Sequence, residues 1–347
     1  MPAVTMFGRS AKPIRIEVFG KTDLGRTRDH NEDRFLVADL TRREASLQST
    51  VRAHDVGERG SLFVVADGMG GAAAGELASQ MATETIYDQL VKGWGAEPEL
   101  TPQRFAYRLK EAVETANRQI HSYGAAHPEV RGMGTTTTAV GLLGDRVFLT
   151  QVGDSRAYLI RHGVAVQLTR DQSLMQRLVE AGELTEEEAE KSERKNIILQ
   201  ALGPDARVKV DLTHQEVRRG DILVLCSDGL SGQVKKEEIA EVVTGQRDLS
   251  AACDRLVALA NERGGPDNIT VVIVRFDGEG LRPAEASAEV GHQVYPLIDT
   301  ETSTEPVPVY RGSRAPEPAA RSRWRMIALL VAAAAAALAL YLVNRNQ

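Results

Sequence analysis

Two stretches of the chain share one arrangement of apolar and polar positions, an apolar run that ends on Asp-Gly. The first is Ser61-Leu-Phe-Val-Val-Ala-Asp67-Gly68 and the second is Asp221-Ile-Leu-Val-Leu-Cys-Ser-Asp228-Gly229. A short continuous apolar run closed by glycine predicts a buried strand. Each run therefore delivers one carboxylate to the rim of a sheet. A third acid stands at the other kind of strand end, where Asp267-Asn268 leads into Ile269-Thr-Val-Val-Ile-Val274. A lone Asp-Gly ordinarily marks a turn. Three aspartates at strand ends far apart in sequence are instead how a sheet assembles a site for a hard cation.

The same patterning predicts strands over residues 14–19, 33–38, 61–66, 135–143, 146–152, 157–161, 165–168, 222–226 and 269–276. It predicts helices over 73–91, 102–123, 173–181, 236–243 and 249–262. Gly144-Asp145 and His162-Gly163 are hairpin signals, so residues 135–168 read as an antiparallel meander. Thr101-Pro102 supplies a capping hydroxyl followed by proline in the first helical turn. Helices fall in pairs between groups of strands, which is an α+β pattern and not a βαβ repeat. Residues 41–60, polar and without periodicity, read as an inserted loop. Residues 171–204, acidic and helical in the middle, read as a flap over the sheet rim.

The globular domain is assigned to residues 12–278. From 279 to 325 the chain turns rich in Pro, Ala, Ser and Thr and reads as a flexible linker. Residues 326–343 then run without a charge, enough for about 27 Å of helix. Trp324 and Tyr341 sit near the ends of that stretch, as interfacial aromatics do. Arg321, Arg323 and Arg325 precede it, and Arg345 stands alone beyond it. The charge bias makes it a single-pass C-terminal transmembrane anchor with the domain on the cytoplasmic side. The alternative is an alanine-rich soluble helix or a partner-docking tail.

Composition narrows the function classes. The 347 residues carry a net charge of -6, which argues against a general nucleic-acid binder. Only Cys226 and Cys253 occur, without CxxC spacing, so neither a disulfide framework nor a zinc site is expected. Both read as small buried hydrophobes. The N-terminus shows no secretory signal pattern.

Further motifs stand in register with the strand-end acids: Arg28-Asp-His-Asn31-Glu32-Asp33, Gly132-Met-Gly134-Thr135-Thr136, Gly153-Asp154-Ser155-Arg156 and Ser227-Asp228-Gly229-Leu230. In this order the set resembles the metal-dependent serine/threonine protein phosphatases of the PPM (PP2C) family, in their bacterial form. The resemblance covers about residues 14 to 276. It implies a β-sandwich of two antiparallel sheets flanked by helices, with a two-metal site at one end. It further implies that Asp67 bridges two Mn²⁺ or Mg²⁺ ions and that the Gly68 carbonyl adds a ligand. Asp228 and Asp267 would hold one ion from the opposite sheet, and Glu32 and Asp33 would contribute directly or through water. Arg28 would grip the substrate phosphate. A third metal stays open, because Val130-Arg131-Gly132 stands where relatives often carry a third-metal aspartate. The flap departs too: Asp171-Gln172-Ser173 and Ser192-Glu193 replace Asp-His-Ser and His-Pro.

The chemistry asks for these residue types in its own right. Phosphomonoester hydrolysis is very slow uncatalysed, and the dianion repels an anionic nucleophile. Two cations lower the pKa of a shared water and neutralise phosphoryl oxygens. Mg²⁺ and Mn²⁺ prefer oxygen ligands and keep several waters, so few carboxylates suffice. An arginine fork suits phosphate. The nucleophile implied is a water bridging the two metals, with no phosphoenzyme. Asp154, Ser155 and Arg156 read as shaping a turn, and Thr135 and Thr136 as packing or bonding backbone near the metals. The expected partners are phosphorylated proteins, among them a Ser/Thr kinase and its substrates at the membrane. Two rivals are a catalytically silent phosphoprotein-binding pseudophosphatase and a two-metal hydrolase of small phosphate esters.

Overall fold

The computed structural model describes residues 12–46, 52–192, 194–285 and 288–297. The expected membrane span at 326–343 lies outside them, and no helix among the described residues is long and apolar enough to cross a membrane.

The chain begins with β1 (Arg15–Asp23), β2 (Asp33–Asp39), β3 (Glu44–Ser46), β4 (Arg52–Asp55) and β5 (Ser61–Met69). Helices α1 (Ala72–Lys92) and α2 (Pro102–Ala126) follow. The meander consists of β6 (Gly134–Thr135), β7 (Thr137–Leu143), β8 (Arg146–Val152), β9 (Arg156–Arg161) and β10 (Val164–Gln167). The flap holds α3 (Leu174–Glu180) and α4 (Glu186–Lys191). After it come β11 (Asp211–Glu216), β12 (Ile222–Cys226) and α5 (Asp228–Ser231). The chain then forms α6 (Lys236–Gly245), α7 (Leu249–Glu262) and β13 (Ile269–Asp277).

One sheet runs in the order β10-β9-β12-β13-β1-β4 and the other β11-β8-β7-β5-β2-β3, with β6 paired to β5. Every pairing between these strands is antiparallel. The sheets stack face to face, with α6 and α7 outside the first and α1 and α2 outside the second. This is why the apolar runs are continuous and do not alternate. Val272 and Val274 of β13 point into the space between the sheets, while Val271 and Ile273 point toward α6 and α7. Each such side chain contributes about 1.5–3 kcal/mol by leaving water. Cys226 and Cys253 are free and buried, and burial pushes the Cys226 thiol up to about 12.

Four expectations change. Strand β11 forms over Asp211–Glu216, where the patterning predicts none. Residues 41–60 contain β3 and β4, which pair with β2 and β1. The strand expected over 135–143 breaks at Thr136, whose backbone N–H donates to the Asp67 carbonyl at 2.8 Å. Residues beyond the expected boundary at 278 also pack on the sheet. Residues 288–297 run beside edge strand β11: the His214 N–H donates to the Gln293 carbonyl at 2.9 Å and the Tyr295 N–H to the Leu212 carbonyl at 3.0 Å. Leu281 is buried, and Tyr295 packs edge-on against Phe148 with ring centroids 5.1 Å apart. A polar composition suggests a free linker, but an open sheet edge offers its backbone hydrogen-bond partners.

Candidate metal centre

Antiparallel pairing decides where the acids meet. Asp33 opens β2, Asp67 lies near the end of β5, and the register sets these two residues directly opposite one another. Like charges in facing positions repel, so the pairing is costly unless something cationic lies between. Gly70 and Gly71, at φ 110° and 91°, then turn the chain into α1. Thr136 and Thr135 brace Asp67 from the next strand. The Asp67 N–H donates to Thr136 Oγ1 at 3.1 Å, and Thr135 Oγ1 donates to the Asp67 carbonyl at 2.8 Å. The two threonines bond backbone, as expected.

The other sheet supplies Asp228, at the first turn of α5, and Asp267, in the loop before β13. Ser227 bridges the sheets, its hydroxyl donating to Asp33 Oδ2 at 2.7 Å. Asn268 ties the Arg28–Glu32 loop to Asp267: its Oδ1 accepts from the Glu32 N–H at 2.8 Å. Its Nδ2 donates to the carbonyls of Leu24 and His30, both at 2.9 Å. Gly229 has no room for a side chain, since a Cβ there would collide with the Asn268 carbonyl oxygen. Gly75 likewise clears space for the Glu32 carboxylate.

Arg28 is half exposed and donates from Nη2 to Asp267 Oδ2 at 2.8 Å. That hydrogen bond raises its pKa. The residue expected to grip phosphate thus leans on one of the expected metal ligands.

Electrostatically the site is overloaded with buried and half-buried carboxylates. Burial, ahead of repulsion from Asp33, Asp228, Asp154 and Asp267, holds the Asp67 carboxyl well above the usual range. Burial pushes Asp33 up to about 8, against hydrogen bonds from Ser227 and Thr270. Asp228 is raised by burial and then by Asp267, and Glu32 by burial, eased by Arg28. Asp33 Oδ1 and Asp228 Oδ1 are buried without a hydrogen-bond partner. Buried polar atoms of folded proteins are nearly always satisfied, so two orphaned carboxylate oxygens among these acids fit divalent cations. Among the described residues, no three His, Cys, Asp or Glu side chains already form a closed ligand set. The acids ring the rim without converging on one point, a spread that suits ions holding much of their water.

Asp154, expected to shape a turn, also carries a buried carboxyl, pushed up to about 7 by that burial and then by Asp228 and Asp171. The sequence signal is weaker than at Asp67, since β8 ends Thr150-Gln151-Val152 before Gly153-Asp154 and not in an unbroken apolar run. Its neighbours do shape the loop: Ser155 Oγ lies 2.7 Å from Thr136 Oγ1, and Arg156 forms a two-pronged pair with Asp171, its Nε and Nη2 at 2.9 and 2.7 Å from Oδ2.

Comparison with known proteins agrees with this geometry. Residues 42–269 match the family model described as protein phosphatase 2C. The serine/threonine phosphatase stp of Listeria monocytogenes is 36% identical over 258 residues, which is 74% of this chain and 94% of that protein. The crystal structure of the Mycobacterium tuberculosis serine/threonine phosphatase PstP/Ppp superposes with a TM-score of 0.63 at 35% identity, covering 76% of this chain and 99% of that one. A structure of the PstP catalytic domain in complex with two manganese ions gives a TM-score of 0.61 at 35% identity, over 76% and 99%.

Proposed function

This chain belongs to the protein phosphatase 2C family, and on that premise we propose that it hydrolyses phosphoserine and phosphothreonine in proteins. The observation that carries the reading is the ring of Asp33, Asp67, Asp228 and Asp267 drawn from both sheets, Asp33 buried and the others half-buried, with two carboxylate oxygens orphaned. Asp67, the Gly68 carbonyl, Asp228 and Asp267 would hold two Mn²⁺ or Mg²⁺ ions, with Glu32 and Asp33 contributing directly or through water. Bound there, the ions would supply water activation and neutralise the phosphoryl oxygens. Arg28 orients the phosphate at the rim, with Asp267 fixing the guanidinium. Ser227 and Asn268 hold the two sheets' acids in register.

A silent binding module would have no need of so costly a cluster, which supports catalysis over binding alone. The test is phosphate release from a phosphothreonine peptide by the full chain in detergent with Mn²⁺, with Mg²⁺ and with EDTA. Turnover with either metal and none with EDTA is the expected result; metal-independent turnover, or none at all, would sink the reading.

We propose in addition that residues 326–343 anchor the chain in a membrane with the catalytic domain cytoplasmic, which would place it beside membrane Ser/Thr kinases and their substrates. The support is the uncharged run and its flanking arginines. After alkaline extraction the full chain should stay with membranes and a chain ending at 320 should not; a full chain in the soluble fraction would end this proposal.

A further inference from the structure

The flap is rooted in the metal rim at both ends. At its far root, Leu202 and Thr135 exchange backbone hydrogen bonds at 2.8 and 3.0 Å, and Thr135 also bonds the Asp67 carbonyl. At its near root stands Gln172, where the sequence departs from the family pattern. Its backbone N–H donates to the Gly153 carbonyl at 2.9 Å, and its side-chain Oε1 accepts from the Gly153 N–H at 3.0 Å. Both backbone groups of Gly153, the residue before Asp154, are thus held by one flap residue. The Gln172 amide Nε2 donates to Asp211 Oδ2 at 3.0 Å, fixing the side chain from β11. The Gln172 carbonyl accepts from the Leu199 N–H at 2.7 Å, and Leu174 N–H donates to the Ile197 carbonyl at 2.9 Å. Gln172 therefore sets the return stretch of the flap, which presents Ile197 and Leu199 to solvent at 43% and 48% exposure.

We propose that Gln172 is a positioning residue: through Gly153 and Asp211 it holds the flap at the height where a phosphoprotein meets the site. Its hydrogen bonds go to Gly153, Asp211, Leu199 and, at 3.4 Å, the carbonyls of Gln151 and Lys209, none of them a proposed metal ligand. The side chain suits the task because one amide end accepts and the other donates. The inference rests on the phosphatase reading.

The experiment uses the full chain with Gln172→Glu and Gln172→Ala, and two substrates: a phosphothreonine peptide that spans the flap, and p-nitrophenyl phosphate, which is too small to reach it. Gln172→Glu still accepts from Gly153 but faces Asp211 with a second carboxylate. KM for the peptide should rise about tenfold, the equivalent of one or two lost hydrogen bonds, while kcat/KM for the small ester changes less than about twofold. Asp211→Asn should restore the peptide KM in the Gln172→Glu background, because the new side-chain amide on β11 would then donate to the carboxylate introduced on the flap. Gln172→Ala should show the same substrate split without rescue. Equal losses on both substrates, or no change on either, would overturn the proposal. No turnover of either substrate by the unaltered chain would instead defeat the phosphatase reading itself.

Discussion

Asp67→Asn is expected to cost about a thousandfold or more in metal-dependent phosphate release, the loss expected when a central electrostatic group is removed from such a site. The same substitution should stabilise the metal-free protein. Asp67 is half-buried beside Asp33, Asp228, Asp154 and Asp267, and an asparagine there removes the cost of either protonating that carboxyl or holding its charge among the others. Differential scanning calorimetry in EDTA should therefore show a higher midpoint for Asp67→Asn than for the unaltered chain. Adding Mn²⁺ should raise the unaltered protein more than the variant. The pH dependence follows in sign. Acids whose folded pKa lies above the ordinary 3.8 stabilise fully below that value and lose the contribution as pH rises through the folded value, about 7 for Asp154 and about 8 for Asp33. The metal-free midpoint should fall between those limits, and less steeply in the variant. A variant that keeps turnover, or whose metal-free midpoint drops, would remove Asp67 from the centre of the site.

Asp221→Ala is expected to destabilise the fold by about 3–5 kcal/mol, because it strips the partner from a buried charge. Arg161 and Asp221 are 6% and 1% exposed. The guanidinium Nε and Nη2 donate to Asp221 Oδ1 and Oδ2 at 2.9 and 2.6 Å, and the Arg218 N–H donates to Oδ2 at 2.8 Å. Arg161 further donates to the carbonyls of Glu216 and Ala288. For a domain of this size, each kcal/mol moves the melting midpoint by roughly 2–4 °C, so a drop of about 10 °C is anticipated. Replacing both residues by apolar ones of similar volume should recover part of it. Arg161 ends β9 about 16 Å along the strand from Arg156, so kcat well below the melting range should hold. A midpoint shift under about 2 °C would show the pair to be dispensable.

The metal rim is legible wherever local pattern and chemistry coincide. Asp67 and Asp228 announce themselves because an apolar run buried on both faces can stop only at the sheet's edge, and Asp-Gly marks the stop. Asn268 and Ser227 carry no such signal. Their work lies in bonds to Glu32 and Asp33, 236 and 194 residues away, and the one-dimensional pattern does not show which loops will meet. Two of the missed strands fail for a different reason. β3 and β4 are short, polar edge strands, Glu-Ala-Ser and Arg-Ala-His-Asp, which bury little and so show no period. β11, Asp-Leu-Thr-His-Gln-Glu, is missed because Leu212 is its one aliphatic residue. Asp154 is less legible than Asp67, because the strand before its Gly-Asp-Ser turn does not end in an unbroken apolar run.

The packing of residues 288–297 against β11 bears on where this protein can be cut. A boundary at 278 looks natural from composition, yet it would leave the outer edge of β11 without partners and take Tyr295 away from Phe148, which it now meets edge-on. An exposed strand edge beside an aromatic surface is a template for another chain. Shortened versions prepared for crystallisation or screening should therefore keep the chain through Tyr295, or they will risk forming edge-to-edge aggregates.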